Sequence, residues 1–206
     1  MIVYYIVGYR KNVVDNNLRL AFPNKGEEEL LVLRKRFFRH MCDTFLDFSS
    51  NVELVQAIVK KKSVLIVCSH YANWEWNVSI NNYVDTNGYA VYQKIGNHYF
   101  DQMIKNIRAK WNTSLITQEE TVKTIVRNEQ NGIIGGYGMV SDQSPQAHRA
   151  QYWSEFMGVK VPIFNGAETL ARKFDLAVVF LKVSKVKRGY YQADIIPITM
   201  SGKETE

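Results

Sequence analysis

Val64-Leu-Ile-Val-Cys-Ser-His-Tyr-Ala-Asn-Trp-Glu75 is the stretch whose reading decides the fold of this chain. Val64–Cys68 is an apolar, β-branched run of a length that suits one buried strand. Asn73 suits the N-cap of a helix that starts at Trp74. That start places Glu75 in the first turn, where the helix dipole favours an ionised carboxylate. His70 therefore falls in the loop just past a strand, with an acid on the next helix start. A carboxylate that holds an imidazole fixes its tautomer and stabilises the imidazolium, as a general base acting on a hydroxyl requires. The same spacing also arises by chance, as a surface histidine beside a helix-start acid, so spacing alone does not decide for catalysis. As a metal site it offers two ligands at most, and Cys42 and Cys68 stand in no metal-binding spacing.

Outward from this stretch, short apolar runs alternate with helical ones. Strands are expected over Val64–Cys68, Ala90–Tyr92, Leu115–Ile116, Gly132–Gly135, Ala177–Val183 and Tyr190–Ile196. Helices are expected over Trp74–Tyr83, Tyr99–Lys110, Glu119–Asn128 and Asn165–Lys173. This alternation predicts an α/β domain with a mixed, largely parallel sheet flanked by helices. Ligands then sit beyond the C-terminal ends of the strands, where His70 falls. Upstream, Glu27–Phe48 reads as one amphipathic helix, with Leu30, Leu31, Leu33, Phe37, Phe38, Met41 and Phe45 at helical spacing. Its basic residues Arg34, Lys35, Arg36 and Arg39 suit a solvated face or an anionic surface. No repeat, low-complexity tract or linker divides the chain, so residues 1–206 read as a single domain.

A chain of 206 residues with 46% hydrophobic residues can bury a sizeable core. Two distant cysteines make no disulfide framework and fit a reducing compartment. No apolar run reaches the roughly 18 residues that a spanning helix requires. Met1–Gly8 is apolar but too short to span, and it lacks the basic region and cleavage site of a signal peptide. The net charge of +6 points to an acidic partner: anionic lipid, an acidic carrier protein or nucleic acid. Nucleic acid is disfavoured, since the chain has no zinc finger, no RNP-like aromatic motif and no basic heptad helix.

Further along, Gly135-Gly-Tyr-Gly138 leads into Met139-Val-Ser-Asp-Gln-Ser-Pro145. It reads as a turn after a strand, with backbone amides near Gly136–Gly138, or else Arg108, as candidate oxyanion donors. Asp142 and Gln143 face the same edge as His70. Arg108 shares a helix face with Asp101 and suits a phosphate or carboxylate clamp, or a place in solvent. Trp74, Trp76, Trp153, Phe156, Met157, Pro162 and Phe164 read equally as packed core and as lining for an acyl chain.

Taken in order, these segments resemble a known family. They are His70-Tyr-Ala-Asn-Trp-Glu75, then Asn97, Asp101 and Arg108, then Tyr137-Gly-Met-Val-Ser-Asp-Gln-Ser-Pro145, then Phe156-Met-Gly158 with Pro162 and Gly166-Ala-Glu-Thr-Leu-Ala171. The family is that of the late acyltransferases of bacterial lipid A biosynthesis, the lauroyl/myristoyl transferases. It lies within the lysophospholipid and glycerol-phosphate acyltransferase superfamily. Tyr9-Arg-Lys-Asn-Val-Val14 and Asn17-Leu-Arg-Leu-Ala-Phe-Pro23 resemble the region after the family's membrane anchor. The resemblance implies a glycerol-phosphate acyltransferase-like fold. It implies transfer of a fatty acyl group from acyl carrier protein, or acyl-CoA, to a hydroxyl of a membrane glycolipid, with no metal or redox cofactor. It implies peripheral or anchored association with the cytoplasmic face of the bacterial inner membrane. His70 corresponds to the base and Glu75 to its orienting acid, with Arg108, Asp142, Gln143 and Asn73 in substrate binding. A longer chain is also implied, with an anchor helix of which Met1–Gly8 is the remnant and a tryptophan- and arginine-rich segment beyond Pro197. The alternatives are an acyltransferase for an aminolipid, pigment lipid or lysophospholipid, a non-catalytic membrane-binding module, and a hydrolase that uses the same pair on water.

Overall fold

The run Val64–Cys68 is a central strand in the computed structural model, which describes residues 11–41, 47–48, 52–72, 74–96, 98–109, 111–187 and 190–204. Helices α1 (Lys11–Ala21) and α2 (Glu27–Met41), strand β1 (Asp47–Phe48) and helix α3 (Val52–Val59) precede β2 (Val64–Cys68). A 3-10 segment over Trp74–Asn82 then leads to β3 (Asn87–Tyr92), α4 (His98–Ala109), β4 (Thr113–Thr117), α5 (Gln118–Gln130) and β5 (Gly135–Val140). The hairpin β6 (Tyr152–Phe156) and β7 (Val159–Ile163) follows, then α6 (Gly166–Phe174), β8 (Ala177–Lys187) and β9 (Tyr190–Thr199). Seven strands form one sheet in the order β1-β9-β8-β2-β5-β3-β4. From β8 to β4 the neighbours are parallel, and β9 runs antiparallel to β8. This is the expected α/β architecture.

Side-chain alternation along β2 explains its depth in the core. Val64, Ile66 and Cys68 pack against Val55, Ile58 and Val59 of α3 and against Ile80 of the 3-10 segment. On the opposite face, Leu65 joins Tyr137, Ile125 and Leu170, from β5, α5 and α6. A strand covered on both faces is apolar throughout, as this one is. The start of α5 is fixed by a capping box: Glu120 N donates to Thr117 Oγ1 at 3.3 Å and Thr117 N donates to Glu120 Oε2 at 2.9 Å. Beyond α6, Asp175 takes a left-handed backbone (φ 51°). Its carboxylate accepts from Ser201 and Lys62 and so ties the entry of β2 to the segment after β9. The Ser201 hydroxyl first, then Lys62, hold that carboxyl down at about 2.

Three expected elements come out differently. The strand placed at Gly132–Gly135 is displaced to Gly135–Val140, and the glycines read as a turn lie inside it. They suit the strand because neighbouring side chains occupy the space a Cβ needs. At Gly135 it would come within 2.7 Å of the Tyr137 ring, and at Gly136 within 3.3 Å of Thr86 Cγ2. The helix expected over Glu27–Phe48 ends at Met41, and Asp47–Phe48 pairs with β9 instead. The helix expected over Trp74–Tyr83 winds as a 3-10 helix. Asn77, Ser79, Asn81 and Asn82 make that stretch poor in α-helix formers. No helix among the described residues is long and apolar enough to cross a membrane, and Met1–Gly8 lies outside them.

Tyr137 and Asn128 form a buried polar contact between β5 and α5. Asn128 Nδ2 donates to the Tyr137 hydroxyl at 3.0 Å, and both residues are almost fully buried. Tyr137→Phe strands the amide, which predicts a loss of about 1–3 kcal/mol in urea-unfolding stability. An unchanged unfolding midpoint would contradict this.

Candidate active site

β2 and β5 are parallel neighbours whose connections leave toward opposite faces of the sheet. After β2 the chain passes to the 3-10 segment on the α3 face, and after β5 it reaches α6 on the α5 face. Such a divergence opens a crevice beyond the C-terminal strand ends. Ser141 N donates to Cys68 O at 3.0 Å and holds the two loops level. His70 and Asp142 stand at this point. Asp142 Oδ1 lies 2.6 Å from His70 Nδ1, and Asp142 Oδ2 accepts from the His70 backbone N–H at 2.8 Å. One carboxylate thus holds both the ring and the main chain behind it. Because Oδ1 can only accept, Nδ1 carries the proton and Nε2 is the basic nitrogen, an assignment made from hydrogen-bonding roles. Both side chains remain partly open to solvent, at 31% and 39%.

Ala72, in the left-handed region at φ 55°, turns the chain sharply between His70 and the 3-10 segment. The turn brings Trp74 back against the imidazole, edge to face, with ring centroids 4.6 Å apart. The Arg108 guanidinium from α4 stands over the same indole, 5.6 Å from its centroid. Two cavities meet here. A cleft of about 560 Å³ runs from His70 across the sheet edge, past Gln93, Gln118, Thr121, Gln143 and Phe164, to the start of α6. A narrower slot of about 60 Å³ lies under the 3-10 segment, floored by Ile66, Cys68, Gly136 and Gly138. Trp74, Val91, Arg108 and Val140 wall both. Burial pushes the Cys68 thiol up to about 11, so it is no nucleophile at neutral pH.

His70, Arg108 and Gln143 line the cleft, with Asp142 on His70. Sequence spacing paired His70 with Glu75. Glu75 stands in the 3-10 segment with its side chain outside the described residues, and Asn73 lies outside them altogether. Asp101 pairs with Lys105 at 2.8 Å and accepts from Ile95 N, rather than joining Arg108. The amides around Gly136–Gly138 are no oxyanion donors, since that backbone is flanked by β2 on one side and β3 on the other. Of the aromatic cluster, Trp74 and Phe164 reach the cleft, whereas Trp153, Phe156 and Met157 are exposed on the hairpin. Among the described residues no three His, Cys, Asp or Glu side chains gather as a metal site would require. Two features escaped the sequence reading: the acceptance of His70 Nδ1 by Asp142, and the slot. Gly136 and Gly138, alternating at strand period, were the signal for the slot, since they leave one face of a strand bare.

The family model for bacterial lipid A biosynthesis acyltransferases matches residues 50–206, and the chain belongs to that family. It is an acyltransferase, as the sequence motifs implied. No curated protein matches it.

Proposed function

We propose that the protein transfers a fatty acyl group from acyl carrier protein to a hydroxyl of a lipid A precursor, with His70 Nε2 as general base and Asp142 as the carboxylate that orients it. The observation that carries this reading is the 2.6 Å contact between Asp142 and His70 Nδ1 in the cleft, beside Trp74, which walls both the cleft and the apolar slot. His70 takes the proton of the acceptor hydroxyl as its oxygen attacks the thioester carbonyl. Asp142 stabilises the imidazolium that results. The tetrahedral oxyanion collapses, the carbon–sulfur bond breaks, and His70 returns its proton to the leaving thiolate. Arg108, at the wall shared by the two cavities, is the cation this reading assigns to the developing negative charge. A net charge of +6 suits a phosphorylated lipid and an acidic carrier alike.

The same reading sets the protein at a membrane surface, the cytoplasmic face of the inner membrane. The β6–β7 hairpin supports it. Its turn takes left-handed backbone at Met157 (φ 53°) and Gly158 (φ 76°), and Tyr152, Trp153, Phe156 and Met157 are exposed along it. Gln151 and Phe164, at its two feet, line the cleft. An aromatic hairpin at the mouth of the site suits contact with the lipid that presents the acceptor.

Acyl transfer from labelled acyl carrier protein in membranes carrying the full chain tests the chemistry. His70→Ala should lower the rate at least about 100-fold, and Asp142→Asn by a comparable factor, because the imidazole then loses its tautomer. Glu75→Gln should cost less than either. A larger loss in Glu75→Gln than in Asp142→Asn would return the orienting role to Glu75. Unchanged transfer in His70→Ala would end the general-base reading. For the hairpin, Phe156→Ser with Met157→Ser should weaken binding to anionic liposomes and slow transfer to bilayer-embedded acceptor, while detergent-dispersed acceptor is used normally. Equal effects on both acceptors would remove the hairpin from membrane contact.

A further inference from the structure

The slot behind His70 holds one polar group that the mechanism leaves unused. Asn77, in the 3-10 segment that roofs the slot, is 8% exposed, and neither its Oδ1 nor its Nδ2 has a hydrogen-bond partner. The other polar walls are engaged. Asn81 donates to Thr113 at 2.7 Å, the Cys68 thiol donates to Met139 O at 3.6 Å, and Arg108 stands over Trp74 at the mouth. The Asn77 amide stands beside Cys68, where it would bond a thiolate, but burial keeps that thiol protonated. Gly138 leaves the floor bare. A Cβ at Gly138 would touch only the Tyr89 carbonyl, at an ordinary 3.5 Å. The slot is therefore a narrow apolar space, walled by the Trp74 that packs on His70, with an unmet donor and an unmet acceptor on one side chain.

Buried amides are bonded as a rule, and one that is not costs stability until something completes it. An unsubstituted hydrocarbon entering the slot would seal the amide away from water and raise that cost. A hydroxyl on the chain would remove it, because a hydroxyl both accepts from Nδ2 and donates to Oδ1. We infer that the slot receives the carboxyl-proximal segment of the donor's acyl chain and that Asn77 selects a chain bearing a hydroxyl there. The inference rests on the acyl-transfer reading of the His70 cleft. The position follows from the chain: Asn77 stands beside Cys68, the last residue of β2, two residues before His70. A site built to bond a hydroxyl discriminates strongly against the analogue that lacks it.

Competition between dodecanoyl and 3-hydroxydodecanoyl carrier protein, with full-length protein in membranes and product ratios read by mass spectrometry, tests the inference. The wild type should favour the hydroxylated chain by about tenfold or more, a preference worth roughly 1.4 kcal/mol. Asn77→Leu should shift the ratio toward the plain chain by a similar factor. It should also melt no lower than the wild type, since it removes an unpaired buried amide. Calorimetric binding of the two free acids to the wild type reads the same preference without chemistry. A plain-chain preference in the wild type, or a ratio that Asn77→Leu leaves unmoved, overturns the inference while acyl transfer stands; a water molecule satisfying the amide would give this result. Selective binding of the hydroxy acid with neither donor transferred keeps the slot assignment and overturns the acyl-transfer reading instead. Absence of both binding and transfer overturns the two together.

Discussion

The parallel pairing of β2 with β5 is the constraint on which the rest of this structure depends. Its register sets Cys68 opposite Val140, so the two strands end level and their loops begin side by side. Because the next elements lie on opposite faces of the sheet, those loops part, and the crevice between them cannot close by packing. Everything polar in the site is hung on that gap. Asp142 bridges it with both oxygens, one on the imidazole and one on the main chain of His70. A carboxylate with a single bond would leave the ring free to swing. Here the second bond fixes the backbone that carries the ring, so orientation and position are set together.

What the sequence revealed, and what it hid, divides along the range of the interactions. β2 was legible because an apolar, β-branched run has few alternatives, and α5 because its start carries a capping pair within one turn. The α/β class was legible from alternation alone. Asp142 could be placed on the right edge, but not on His70, because the contact joins residues 72 apart and depends on the β2–β5 register. Glu75, close in sequence, was the natural partner for a reading confined to local spacing. β5 was misplaced for a related reason. Glycine has a strong local meaning as a turn former, whereas Gly135 and Gly136 answer to Tyr137, Thr86 and Val64, which only the assembled sheet brings near. The 3-10 winding of Trp74–Asn82 was likewise beyond a periodicity argument that tests for a 3.6-residue repeat.

Three local rules are broken close to His70, and the breaches share a consequence. Ala72 holds a left-handed backbone that a glycine would take more readily, the 3-10 segment outruns the usual length of such helices, and Asn77 is buried unpaired. Each costs stability, and each keeps the roof of the slot away from a tight, regular seal on the sheet. A regular α-helix with leucine in place of Asn77 would bury more apolar surface and fill the space beside Cys68. Natural sequences are otherwise locally consistent, so a cluster of exceptions within a few residues of His70 marks a place built for something other than stability. The bare Gly138 of β5 falls under the same argument from the opposite wall. Removing side chains from the floor of a cavity while leaving an unmet amide in its roof is costly in an empty protein. It ceases to be costly once a chain of matching chemistry lies between them, and that difference in cost is what binding selectivity consists of.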